Sequence, residues 1–145
     1  MKLYLAHPLE MRHEIRSIEK SIEETTGVEL INPFYDTGRD DIEAIDRGEK
    51  TRNSADIDPA TIVGKDIGQI MYADGVVALV TKQTHQIGTI CEIWFCAMQA
   101  HKPVYIVSSD CQMHPWIRFI VEASGGMMFG SWDEFTEFLK GVIKC

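Results

Sequence analysis

Val76-Val77-Ala78-Leu79-Val80, followed after a polar loop by Gly88-Thr89-Ile90-Cys91-Glu92, is the stretch on which the fold of this chain turns. Five consecutive apolar residues, three of them β-branched, suit a strand buried on both faces, as in a parallel sheet. The residues after it read as a helix running to about His101. A strand-loop-helix turn of this kind delivers Glu92 to the carboxyl edge of a parallel sheet, where open α/β folds bind their ligands. Glu92 is therefore a candidate nucleophile.

Working outward, Lys2-Leu3-Tyr4-Leu5-Ala6 reads as a strand that stops at His7-Pro8. A helix is expected from Leu9 to about Thr26, with Ile15, Ile18 and Ile22 on one stripe and Gly27 as its left-handed cap. Val28 to Ile31 is a second strand, closed by Asn32-Pro33. From Phe34 to Pro59 the chain is polar, with a short helix near Ile42 to Glu49 and the run Asn53-Ser54-Ala55-Asp56-Ile57-Asp58. This segment is either a lid or binding loop or a solvated, disordered excursion, and the sequence leaves both open. A helix from Pro59 or Ala60 to Tyr72, carrying Ile62, Ile67, Ile70 and Met71, leads into the Val76 strand. Beyond the Glu92 helix come a strand over Val104 to Val107, a helix from about Pro115 to Ala123, a short apolar piece Met127-Met128-Phe129 and a last helix. Ser131 is the expected N-cap of that helix, and Trp132, Phe135, Phe138, Leu139 and Val142 its buried face. Alternating strands and helices predict a three-layer flavodoxin-like or Rossmann-like α/β fold around a roughly five-stranded parallel sheet.

The 145 residues fit one domain spanning the whole chain, and 45% hydrophobic with 25% charged residues describe a globular protein. The net charge of -8 argues against a nucleic-acid polymer or an anionic membrane as partner. Cys91, Cys96, Cys111 and Cys145 form no C-x-x-C pair and read as reduced thiols, and no stretch has the length of a signal peptide or membrane span, so a cytoplasmic location is expected. Gly125-Gly126 has no following Lys and Ser or Thr, which removes both the phosphate loop and the dinucleotide fingerprint. Cys111 and Arg118 are spaced one residue too far for a phosphatase loop. His101 is expected to meet the end of the Glu92 helix rather than a metal, and Asp74 to tie a helix end to the Val76 strand. Trp116 and Phe119 are expected to be buried, in the core or at an interface.

Three segments together resemble a known family. They are the opening Met1-Lys2-Leu3-Tyr4-Leu5-Ala6-His7-Pro8-Leu9, the run from Asp66 to Asp74 into Val76-Val77-Ala78, and Gly88-Thr89-x-x-Glu92 followed by Ala97 and Lys102-Pro103-Val104. They resemble the nucleoside 2-deoxyribosyltransferase superfamily, which includes nucleoside 5′-monophosphate N-glycosidases. The resemblance implies cleavage of the N-glycosidic bond of (2′-deoxy)nucleosides through a glutamate nucleophile, here Glu92, with transfer to another base or to water and with no cofactor or metal. Breaking that bond develops oxocarbenium character at C1′, which a nearby carboxylate stabilises and then captures. A place in the first turn of its helix would favour the ionised form of Glu92.

Asp66 matches the family aspartate that holds the nucleoside, and Tyr4 the hydroxyl that orients the nucleophile. Where the family's transferases carry an aspartate six residues before the nucleophile, this chain has Gln86, which offers hydrogen bonds but no acidic proton at neutral pH. His7, Pro8, Gly88 and Thr89 are further candidate substrate contacts. Arg12, with Arg16 one turn on, would favour a 5′-monophosphate, although both arginines could equally pair with Glu10, Glu19 or Glu23. The resemblance also implies a homodimer or higher homo-oligomer in which the stretch Asp110 to Trp116, including Gln112 and His114, completes a neighbouring site. Expected partners are a nucleoside or its 5′-monophosphate and a free nucleobase. Within this class transfer, monophosphate hydrolysis and a non-catalytic nucleotide-sensing module all remain open.

Overall fold

The computed structural model describes residues 1–36, 38–51 and 54–145. Strands β1 (Lys2–Ala6), β2 (Glu29–Ile31), β3 (Gly75–Leu79), β4 (Val104–Val107) and β5 (Met128–Phe129) form an all-parallel sheet in the order β2-β1-β3-β4-β5. Helices α1 (Arg12–Thr26) and α6 (Trp132–Ile143) pack on one face, and α3 (Pro59–Tyr72), α4 (Ile87–Met98) and α5 (Pro115–Ser124) on the other. This is the expected three-layer α/β fold. A short α2 (Asp40–Asp46) lies in the polar segment.

The period of two along each strand divides the core. Leu3, Leu5 and Val77 face Ile15, Ile22, Phe135 and Leu139 of α1 and α6. Tyr4, Ala6, Val76 and Ala78 face Ile70, Ile93, Cys96, Ile117 and Ile120 of α3, α4 and α5. On the α1/α6 side Phe129 lies 5.3 Å from Phe135 and 5.2 Å from Phe138 by ring centroid. Such aromatic pairs contribute about 0.5–1.5 kcal/mol each beyond their buried area.

Sequence signals act where they were expected at several boundaries. Gly27 caps α1 at φ 73° and the Ser131 hydroxyl accepts from the Glu134 amide, while Asp74 is structural but accepts from the Lys2 amide and so ties the end of α3 to β1 rather than to β3. Gly126 is a close approach: a Cβ there would stand 1.8 Å from the Val104 carbonyl oxygen, so only glycine lets the chain pass from α5 into β5.

Other boundaries differ. Leu9–Met11 is a 3-10 turn before α1 proper. The Glu92 helix begins at Ile87 and stops at Met98, so Glu92 is in its second turn rather than its first, and His101 sits beyond the helix with φ 53°. Between the helix and β4 the chain turns through His101 in the left-handed region, and Pro103 holds Lys102 extended before β4. Trp116 and Phe119 are 64% and 54% exposed rather than buried. Ile117, Ile120 and Val121 already occupy the inward stripe of α5, which turns the two aromatic rings outward. Met71 and Val142 are also exposed. No helix of the described residues is long and apolar enough to cross a membrane.

Candidate active site

The strand order reverses direction between β1 and β3, and at such a switch point the loops leaving the two strands diverge and open a crevice. Here the loop after β1 and the loop between β3 and α4 border a cavity of about 500 Å³. Its walls hold His7, Pro8, Gln86, Gly88, Thr89, Asp66 and Glu92 from the sequence-derived set, together with Leu9, Glu10, Phe34, His85 and Ile87.

Tyr4 is fully buried, and its hydroxyl donates a 2.7 Å hydrogen bond to Glu92 Oε1. The alternation along β1 sends this side chain toward α4, while Leu3 and Leu5 enter the opposite core. Burial first, then the neighbouring charges of Glu92 and Asp66, hold the phenol well above its ordinary range, so its proton stays in place to orient the carboxylate. Glu92 lies past the first turn of α4, where the helix dipole fades, and the Tyr4 hydroxyl orients its carboxylate there.

Asp66 is reached from an element that the sequence did not single out. Arg39, only 4% exposed, donates through one terminal nitrogen to Asp66 Oδ1 at 3.2 Å. It also forks onto Asp41, with Nε to Oδ1 at 2.7 Å and its other terminal nitrogen to Oδ2 at 2.8 Å. Burial works against the charge on Arg39, but the two carboxylates outweigh it and raise its pKa. Asp41 is correspondingly held below its usual range, the Arg39 bonds prevailing over burial. The segment after β2 thus reaches the cavity twice, through Phe34 in its wall and through Arg39 behind Asp66. Arg39, Ile42 and Ala44 are buried, so the segment is packed around Arg39 and α2, whereas its described residues from Asp46 to Pro59 are exposed or half-buried. Thr37, Arg52 and Asn53 lie outside the described residues.

His7 is 3% exposed, and its Nδ1 lies 3.1 Å from the Leu5 carbonyl oxygen. Burial pushes its pKa down to about 4 against the raising effect of that bond, so near neutral pH the ring is uncharged, donates from Nδ1 and presents Nε2 as an acceptor. Nε2 has no hydrogen-bond partner, and the Phe34 ring stands edge-on to the imidazole at 4.9 Å. Among the described residues the one other buried side-chain polar atom without a partner is Thr84 Oγ1, in the loop before α4. Orphaned groups of this kind are rare in folded proteins, and both lie on the loops that border the cavity.

Several candidates are placed differently from expectation. Gln86 lines the cavity, but its amide bonds Thr81 twice: Oε1 accepts from the Thr81 amide at 3.1 Å and Nε2 donates to the Thr81 carbonyl. It closes the loop on itself. Arg12 bonds Asp46 and the Leu9 carbonyl, while Arg16 pairs with Glu19 and Asp36 and lies over the Tyr35 ring, and neither lines the cavity. Gln112 Nε2 donates to the Ser108 carbonyl at 2.7 Å, and His114 Nδ1 caps α5 by accepting from the Trp116 amide at 3.3 Å. Within the chain these two serve their own loop, and they too lie away from this cavity. No Lys or Arg stands among the described lining residues, whereas Glu10, Asp66 and Glu92 bring three carboxyl groups.

Solved structures share the architecture. A conserved protein from Enterococcus faecalis superposes with TM-score 0.68 at 17% identity, over 98% of each chain. A 2-deoxyribosyltransferase from Bacillus psychrosaccharolyticus gives 0.67 at 15% identity, over 99% of this chain and 96% of its own. A CMP N-glycosidase from Clostridium botulinum gives 0.61 at 14% identity, over 98% and 99%. At these identities the likeness is one of fold. No curated protein matches the chain in sequence. The nucleoside 2-deoxyribosyltransferase family does match, over residues 3–136, and the chain belongs to that family.

Proposed function

We propose that the chain cleaves the N-glycosidic bond of an unphosphorylated (2′-deoxy)nucleoside, with Glu92 as nucleophile, and passes the sugar to a second base. The observation that carries this reading is the Tyr4–Glu92 hydrogen bond of 2.7 Å at the wall of the switch-point cavity. It holds the Glu92 carboxylate in place for attack on C1′, while Asp66, steadied by Arg39, is suited to the sugar hydroxyls. The oxocarbenium-like transition state would be met by the carboxylates of the wall.

The charges of the described wall favour a substrate without phosphate. A monophosphate needs donors and cations, and Arg12 and Arg16 are engaged with Asp46, Glu19 and Asp36 away from the cavity. Glu10 and the acceptor Nε2 of His7 would repel phosphate oxygens. We include in the proposal a homo-oligomer, to which exposed Trp116 and Trp94, 5.8 Å apart by ring centroid, would offer an apolar contact face.

Chromatography of base release from deoxyribonucleosides, ribonucleosides and their 5′-monophosphates, each with and without a second free base, tests the proposal. Base exchange that disappears in Glu92→Gln is expected from the nucleosides. Release without exchange would make the protein a hydrolase, preferential turnover of monophosphates would overturn the charge argument, and absence of turnover on every substrate would overturn the enzyme reading.

A further inference from the structure

We propose that the cavity selects N-glycosides whose base already carries a fixed positive charge, such as N-alkylated purine or pyridinium nucleosides. The inference rests on Glu92 as the nucleophile and concerns how the leaving base is made to leave. A neutral base departs from C1′ with the bonding pair and needs a proton from the enzyme, a task usually given to a positioned acid. The protons in the depth of this wall are already committed. Tyr4 holds its proton in a hydrogen bond to Glu92, and the phenol is too weak an acid to release it. His7 keeps its single proton on Nδ1, against the Leu5 carbonyl, and presents bare Nε2. Gln86, at the position nearest in sequence to a base-contacting role, has an amide that is not acidic and is tied at both ends to Thr81. Asp66 accepts from Arg39. The two remaining titratable side chains of the described wall, Glu10 and His85, are exposed.

A cationic base removes the requirement. Glu92 forms a bond to C1′ as the C1′–N bond breaks, and the pair from that bond neutralises the positive ring nitrogen, so the base leaves uncharged without a proton. With no second base supplied, water takes its place: it attacks C1′ of the glycosyl ester, the C–O pair returns to Glu92, and the proton of the water passes to solvent. The balance is cationic nucleoside plus water to free sugar, neutral base and one proton. The same walls favour such a ligand electrostatically, with Glu10, Asp66 and Glu92 in the lining and no Lys or Arg among the described lining residues.

The test compares N7-methyladenosine with adenosine, and the 2′-deoxy pair likewise, following base release by the parent protein and by Glu92→Gln with the uncatalysed rate subtracted. The methylated nucleosides are expected to exceed their parents in kcat/KM by about 100-fold or more, the usual worth of a missing acid, with a rate that stays level from about pH 6 to about 8. Equal turnover of the unmethylated nucleosides, with an alkaline fall in rate abolished by His85→Ala or Glu10→Gln, would identify an acid at the cavity mouth and overturn the inference while leaving Glu92 as nucleophile. Release from neither kind of substrate, or release that survives Glu92→Gln, would overturn the nucleophile reading as well.

Discussion

The two faces of the sheet do different work with the same alternation. On the α1/α6 side, Leu3 and Leu5 meet Ile15, Ile22 and a cluster of phenylalanines, and the buried charge of α1, Glu19, is turned to Asn32 after β2 rather than to the switch-point cavity. On the α3/α4/α5 side, Tyr4 is as deeply buried as they are, but its hydroxyl emerges under α4 against Glu92. A residue on one face of β1 contributes to stability, while its neighbour on the other face sets the position of a carboxylate. Damage to the first face should therefore appear in unfolding and damage to the second in turnover.

The largest expected effect is on the second face. Glu92→Gln, nearly isosteric, should lower turnover on the order of 10⁴-fold or more while thermal unfolding moves little, as enzyme assay beside calorimetry would show. The converse is Phe135→Ala on the first face. Emptying that fully buried site should cost about 3–5 kcal/mol in denaturant unfolding and leave the activity of the folded molecules intact. A loss of activity there without a loss of stability would break the division.

His7 supplies a pH arm. Its folded pKa is depressed to about 4 from 6.5, so the unfolded chain binds its proton first as pH falls. The stability it contributes is full above pH 6.5 and is lost progressively as pH drops toward about 4. At about 1.36 kcal/mol per pH unit the loss is roughly 3 kcal/mol, an upper figure that His7→Phe should largely abolish in urea titrations at the two ends of that window. The smallest effect is that of Tyr4→Phe. A hydrogen bond to a charged group contributes about 1.5–3 kcal/mol, so turnover should fall roughly 10- to 100-fold, mainly in kcat.

How much of this was legible in the sequence differs by region. The strands, the β1 hydroxyl, Asp66 and Glu92 could be read because each is tied to a local pattern: an apolar run, a strand-loop-helix turn, a motif shared with the family. Arg39 could not. In Gly38-Arg39-Asp40-Asp41 it looks like solvated charge, and its burial arises only when the segment after β2 folds over α3 and brings it to Asp66. The same limit misplaced Arg12, whose partner Asp46 is 34 residues away, whereas the Arg16–Glu19 pair was visible as a helical i, i+3 spacing. Glu10, His85 and Phe34 were missed because cavity walls assemble from loops, and a single loop residue carries no period to read.

The central claim is that Glu92 bonds covalently to C1′. The most direct measurement is intact-protein mass spectrometry after incubation with a nucleoside fluorinated at C2′, a substitution that slows loss of the glycosyl group by destabilising its cationic transition state. The account predicts a mass gain of one fluorosugar, localised to Glu92 by peptide mapping and absent in Glu92→Gln. Base release by the parent protein from the same compound with no adduct, or an adduct on another residue, would contradict it.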